Sequence, residues 1–295
     1  MPGSLPHDLD ELVRLSPRPD IRLIATDMDG TLVDDERQIH DELWPLVDAL
    51  FARGITFCPA SGRQYENLRR QFEDVAHELV FVAENGTYVV ARGREIASDG
   101  LSLDAARGLV RRVRGIPDAG PILCGKRSAY VDRRDPVFVD EVSRYYAHLE
   151  VVPDLLEVEG DDVLKVTVYD FVSAETNAFP RLADVAPAHK VVVSGPHWLD
   201  VTSPTANKGA AVRAVQRALG VTPDQTMAFG DFLNDLEMMD AATWSFAMAN
   251  AHPLLKERAR YQAPANSANG VVRTIRAVLG LSSRGARLVT GPEGT

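Results

Sequence analysis

Between residues 21 and 86 short apolar runs alternate with amphipathic ones, a rhythm that restricts the chain to parallel strands joined by helical crossovers. Strands are predicted at 21–27, 55–60 and 79–83, with helices at about 40–52 and 64–75. The first strand rests on Ile21, Leu23, Ile24 and Ala25, a short apolar run of the kind a parallel sheet buries on both faces. After 205 the rhythm resumes with a helix at 207–219, strands at 226–230 and 244–248, and helices at 233–241, about 253–258 and about 270–279. The intervening texture differs. Runs at 87–91 and 94–97 flank Arg92-Gly93 like a β-hairpin. A helix at 103–114, one at 135–147 and one at 173–184 interrupted by Pro180 then alternate with further strands. The expected architecture is therefore an α/β, Rossmann-like parallel-sheet core over 21–86 and 201–281, with an inserted α/β domain over 87–200. Residues 1–20 and 282–295 read as a flexible N-terminal extension and a flexible C-terminal tail.

The polar clusters sit where such a sheet binds its ligands, at the carboxyl ends of its strands. The first strand dies into Asp27-Met28-Asp29-Gly30, and the second runs into Ser61-Gly62-Arg63. Lys208-Gly209 opens a helix with Ala211, Val212, Val215 and Leu219 on one face. The strand at 226–229 ends in Gly230-Asp231-Phe232-Leu233-Asn234-Asp235. Two carboxylates from one turn repel unless a cation or a shared proton holds them, so Asp27 and Asp29 ask for a metal or for acid–base work. Taken alone, the Asp-x-Asp spacing is equally a solvated loop.

Bulk composition narrows the classes. The chain has 295 residues, 45% hydrophobic and 25% charged, which suits one large α/β domain or two modest ones. No apolar stretch is long enough to span a bilayer, and the N-terminus lacks the basic-then-apolar pattern of a secretory signal. Cys58 and Cys124 lie far apart without a metal-ligand spacing, so a disulfide or zinc site is not expected and a reducing cytoplasm is. A net charge of −10 speaks against nucleic acid as a partner. The arginines at 107–114 read as the solvated face of a helix.

Four motifs in order, Asp-Met-Asp-Gly-Thr-Leu (27–32), Ser-Gly-Arg (61–63), Asn-Lys-Gly (207–209) and Gly-Asp-Phe-Leu-Asn-Asp-Leu-Glu-Met (230–238), resemble those of the haloacid dehalogenase superfamily. With the Glu84-Asn85-Gly86 turn, the chain is most similar to its Cof-type, sugar-phosphatase-like branch. The resemblance covers roughly residues 20–280. It implies a haloacid-dehalogenase-like core, a large α/β cap formed by the insertion, and specificity that comes largely from that cap. It also implies Mg²⁺ held directly by the Asp27 side chain, the Asp29 backbone carbonyl and Asp231, with Asp235 acting through water. Family members often carry Thr at the position of Ser61; the hydroxyl is retained.

Residue chemistry supports that expectation. Asp27 can attack phosphorus and form an aspartyl-phosphate. Asp29 can protonate the leaving oxygen and later deprotonate water. Asp231 and Asp235 add hard oxygen donors without nearby Cys or His, a set that suits Mg²⁺. Ser61, Gly62, Lys208 and Asn234 are the expected phosphate cradle. Lys208 in the first turn of a helix opposes the helix dipole, which makes sense beside an anion. Asn207 either caps that helix or touches phosphate, Asn234-Asp235 can equally be an N-cap, and Arg63 either binds substrate or pairs with a carboxylate. Lys126, Arg127 and Tyr130 are candidate cap contacts to substrate, while His197-Trp198 and Tyr145-Tyr146 read as packing. The expected activity is a Mg²⁺-dependent phosphatase of small phosphorylated metabolites, most simply sugar phosphates, working as a monomer or weak homodimer away from membranes. A phosphomutase, a glycosyl-phosphate-specific phosphatase and a non-catalytic binding module are the alternatives.

Overall fold

A computed structural model describes residues 9–281. Among them, fourteen strands form two sheets. The larger sheet contains β1 (Leu23–Asp27), β2 (Thr56–Ala60), β3 (Val80–Ala83), β4 (Tyr88–Ala91) and β5 (Arg94–Ser98). The smaller contains β6 (Ala119–Gly125), β7 (Ala129–Val131), β8 (Leu149–Val151), β9 (Val163–Asp170), β10 (Lys190–Gly195) and β11 (Trp198–Thr202). The chain then returns to the larger sheet with β12 (Thr226–Gly230), β13 (Trp244–Met248) and β14 (Tyr261–Ala263).

The larger sheet has the order β14-β13-β12-β1-β2-β3-β4-β5, parallel from β14 to β3 and antiparallel beyond. Every residue of β1 and β12 is buried, as a strand covered on both faces requires. Leu46 and Leu50 of the helix Leu43–Phe51, Val212 and Val215 of Lys208–Leu219, and Ile275 and Val278 of Gly270–Leu279 pack over it. Register then aligns the strand ends. Asp27 pairs with Ala60, Thr26 with Phe229 and Ala60 with Val82, so Asp27, Ser61, Glu84 and Asp231 emerge side by side from β1, β2, β3 and β12.

The smaller sheet, β10-β11-β9-β6-β7-β8, is antiparallel except between β7 and β8. Alternation along its strands feeds two separate clusters. Leu123, Val166 and Val168 join Leu109 and Val113 of the helix Leu103–Arg114 on one face. On the other, Ile122, Cys124 and Tyr169 meet Phe138 and Val142 of the helix Pro136–Ser143.

Three expectations need correction. The hairpin β4–β5 pairs with β3 and extends the larger sheet, because Val80 to Ala83 offers an open edge on which it closes. The insertion therefore begins after Ser98, and not at 87. Asp99 and Thr205 tie the two connecting segments together, with Thr205 Oγ1 donating to the Asp99 carboxylate at 2.7 Å. Secondly, residues 9–20 are anchored. Leu12 is fully buried in the main core, and Arg18 donates to the carbonyls of Ala277 (2.6 Å) and Val278 (2.9 Å), satisfying the end of the last helix. The rest of the expected flexible segments, 1–8 and 282–295, lies outside the described residues. Thirdly, the helix expected to 147 stops at Ser143, so Tyr145 and Tyr146 lie beyond it. Tyr146 is buried and donates to Thr167, while Tyr145 is half exposed with its ring centroid 4.6 Å from that of Trp198.

Both cysteines are free and buried, Cys58 in β2 and Cys124 in β6, and burial pushes each thiol up to about 12. No helix of the described residues is long and apolar enough to cross a membrane. Arginines of the helix Leu103–Arg114 pair locally, Arg107 with Glu159, Arg112 with Asp184, and Arg114 with Asp132 and Asp154.

Candidate active site

Asp27 ends β1 and points into the edge where β12, β1 and β2 terminate. Asp231 and Asp235 approach from the turn after β12, and one carboxylate oxygen of each of the three lies within 4.8 Å of the others. Gly30 makes this convergence possible. Its φ of +77° is costly for any side chain, and a Cβ there would overlap the Asp231 carboxylate. Thr31 Oγ1 then donates to Asp231 Oδ1 at 3.0 Å. Asp235 is fully buried and its Oδ2 accepts from the backbone N–H groups of Asp231 (3.1 Å) and Phe232 (3.3 Å). One residue thus caps its own turn and joins the cluster.

Lys208 lies at the bottom of the site, fully buried, its Nζ donating to Asp27 Oδ1 and to Asp235 Oδ1, the latter at 2.7 Å. Burial works to discharge the ammonium, but Asp235 and Asp27 outweigh it and hold the Lys208 pKa above its usual value. Burial drives the Asp27 carboxyl well upward; Lys208 opposes this, and Asp235 and Asp231 reinforce it. Burial, with Asp235 beside it, also raises Asp231, to about 6. Three carboxylates against one ammonium leave two formal negative charges in a site with oxygen donors only. That charge and that donor chemistry fit a divalent hard cation such as Mg²⁺, whose binding would relieve the repulsion that lifts Asp231.

The other expected residues divide. Ser61 is buried next to the cluster's edge, its Oγ accepting from the Arg63 N–H at 3.2 Å. Gly62 faces Asn85, whose side chain would lie 2.9 Å from an added Cβ. Asn234 is exposed and donates to Asn85 Oδ1 at 3.0 Å, so it closes over the same turn. Asn207 caps its helix, Oδ1 accepting from Ala210 N–H at 2.7 Å. Asp29 does not join the three-carboxylate cluster through its side chain, which is 58% exposed and held by Arg63 in a two-pronged ion pair (Nε to Oδ2, 3.0 Å). Arg63 is therefore a carboxylate partner here. The cap candidates are engaged elsewhere: Lys126 pairs with Glu95 and Asp162, Arg127 donates to Gly160 O, and Tyr130 to Asp161. His197 and Trp198 pack with Tyr169, as expected. Sequence reasoning gave no role to Thr31 or Asn85, although both lie in the quoted motifs.

Fold and site together define a Rossmann-like α/β protein with an acidic, cation-ready cluster at the carboxyl edge of its sheet. The family whose profile matches residues 24–275 is described as haloacid dehalogenase-like hydrolase, and the chain belongs to it. The 5-amino-6-(5-phospho-D-ribitylamino)uracil phosphatase YbjI of Escherichia coli (strain K12) is 33% identical over 266 residues, covering 88% of this chain and 96% of that protein. The HMP-PP phosphatase of Cronobacter sakazakii is 30% identical over 239 residues, covering 79% and 86% respectively. Among solved structures, SMU.1108c from Streptococcus mutans superposes with a TM-score of 0.78 at 28% identity, covering 88% of this chain and 99% of that one.

Proposed function

We propose that the protein is a Mg²⁺-dependent phosphatase of small phosphorylated metabolites, working through an aspartyl-phosphate on Asp27. The observation that carries this reading is the convergence of Asp27, Asp231 and Asp235 around buried Lys208. Bound there, Mg²⁺ would be held by Asp27, Asp231 and the Asp29 backbone carbonyl, with Asp235 acting through water, and would offset charge on the phosphoryl oxygens.

The chain's own groups supply the rest. Lys208 keeps Asp27 oriented for attack and opposes the burial that favours its protonated form. An Asp27 oxygen forms a bond to phosphorus as the bond to the substrate oxygen breaks, and Asp29 gives that oxygen its proton. Asp29 then takes a proton from water, whose oxygen attacks phosphorus and returns Asp27 as a carboxylate with free phosphate. For this, the Asp29 carboxyl leaves Arg63 and swings over Asp27. Ser61, Gly62 and Asn234 contribute donors to the phosphoryl oxygens. Relatives named for 5-amino-6-(5-phospho-D-ribitylamino)uracil and for HMP-PP support a small phosphorylated metabolite as substrate. Two free, buried thiols suit a reducing cytoplasm.

The test is phosphate release from 4-nitrophenyl phosphate, a panel of sugar phosphates and 5-amino-6-(5-phospho-D-ribitylamino)uracil, with Mg²⁺ and with chelator, beside Asp27→Asn. Release that requires both Mg²⁺ and Asp27 is the expected result. Turnover by Asp27→Asn near that of the parent would remove Asp27 as nucleophile. Isomerised sugar phosphate without free phosphate would make the protein a mutase.

A further inference from the structure

Between the two sheets lies a buried charge cluster that the chemistry above does not use. Lys165 of β9 reaches out of the smaller sheet, its Nζ 2.8 Å from Glu84 Oε2 and 3.1 Å from Asp200 Oδ1. Thr167 Oγ1 donates to the same Asp200 oxygen at 2.6 Å. All four residues are buried, and the Glu84 carboxylate makes no other hydrogen bond. Desolvated charges of this kind are a poor source of stability, since a well-packed apolar replacement often does as well. Their cost points to another use.

Glu84 stands on an unusual piece of backbone. Glu84 and Asn85 are consecutive non-glycine residues at φ +51° and +56°, conformations that persist only where the surroundings enforce them. The loops of the candidate site lean on this turn. The Glu84 N–H donates to Arg63 O at 3.1 Å, and the Asn85 N–H to Ser61 O at 2.9 Å. The Asn85 side chain abuts Gly62 and accepts from Asn234.

We infer that Lys165 is a positioning residue, whose ion pair with Glu84 holds the left-handed turn and thereby sets Ser61, Gly62 and Asn234 at the reacting phosphoryl group. The inference rests on the phosphatase reading. It makes the cradle complete only when the smaller sheet sits over the larger one, so that catalysis is tied to cap closure through one ammonium group. Removing Lys165 leaves the buried carboxylates of Glu84 and Asp200 without their ammonium, and the turn relaxes to release Glu84.

The experiment compares Lys165→Met, Glu84→Gln and the double variant on 4-nitrophenyl phosphate and on the best sugar phosphate of the panel. Lys165→Met should lower kcat by about a hundredfold on both, the scale of a displacement near 1 Å, with little change in KM. The double variant, which removes the Glu84 charge and leaves Asp200 with the Thr167 hydroxyl, should recover part of that loss. A folded Lys165→Met protein with kcat within about twofold of the parent would overturn the inference, and so would a loss confined to the KM of one substrate. Should the unaltered protein hydrolyse nothing on the panel, the phosphatase reading fails by itself. Hydrogen exchange at the Glu84 and Asn85 amides then decides the inference. Faster exchange in Lys165→Met supports the turn being held by Lys165, and unchanged exchange refutes it.

Discussion

Asp231 carries the clearest pH signature in the molecule. Burial, with Asp235 beside it, raises its carboxyl from 3.8 in the unfolded chain to about 6 in the folded one, so between these pH values the native state binds more protons. Stability from this group is complete below the lower value and lost as pH rises through the upper one. Metal-free protein should therefore melt at lower temperature at pH 7.5 than at pH 5, and Asp231→Asn should flatten that dependence in a calorimetric scan. Lys208 counters the repulsion among these carboxylates. Lys208→Met strands Asp27 and Asp235 without their shared cation, which should cost about 3–5 kcal/mol in urea unfolding at pH 7.5. Less of that cost should remain as pH falls, because the Asp27 carboxyl, already raised by burial, takes up a proton more readily. The identity of these residues could be read from the chain, because each follows a strand or opens a helix at the sheet edge. Their partners could not. Arg63 with Asp29, and Glu84 with Lys165, are separated in sequence by 34 and 81 residues, and no spacing rule links them.

At the scale of elements, apolar periodicity served best where burial is complete. The strands 226–230 and 244–248 and the helices 103–114 and 270–279 fall where the pattern puts them. It failed where an element is made by its neighbour. Tyr261–Ala263 has only three residues and becomes a strand by pairing with Phe246 to Met248, a context invisible in Tyr-Gln-Ala. The hairpin β4–β5 has its own alternation, but that says nothing about which sheet accepts it. The segment Leu9–Val13 is too short to hold itself as a helix and owes its order to the last helix beneath it. Leu12→Ala should thus destabilise the whole protein by about 2–5 kcal/mol in chemical denaturation. A truly flexible extension would show no change.

For the molecule as a whole, the order of motifs revealed an insertion, while its edges depended on which sheet each strand joins. The two units keep separate hydrophobic clusters and meet through polar fastenings. Gln64 exchanges two hydrogen bonds with the His148 backbone, at 3.1 and 3.0 Å, and Lys126 pairs with Glu95 across the gap. Such a division predicts that damage stays local. Phe138→Ala, which empties the centre of one small cluster, should cost about 3–5 kcal/mol, read as faster amide exchange in β6, β7 and β9. Exchange in β1 and β12 should hardly change. The chain also carries its own means of following this. Cys58 sits sealed in the larger sheet and Cys124 in the smaller, each too buried and too little ionised to react while its sheet is shut. An alkylating reagent would mark each thiol only when its surroundings open. The order in which the two are modified would report, without any introduced probe, which half of the protein lets go first.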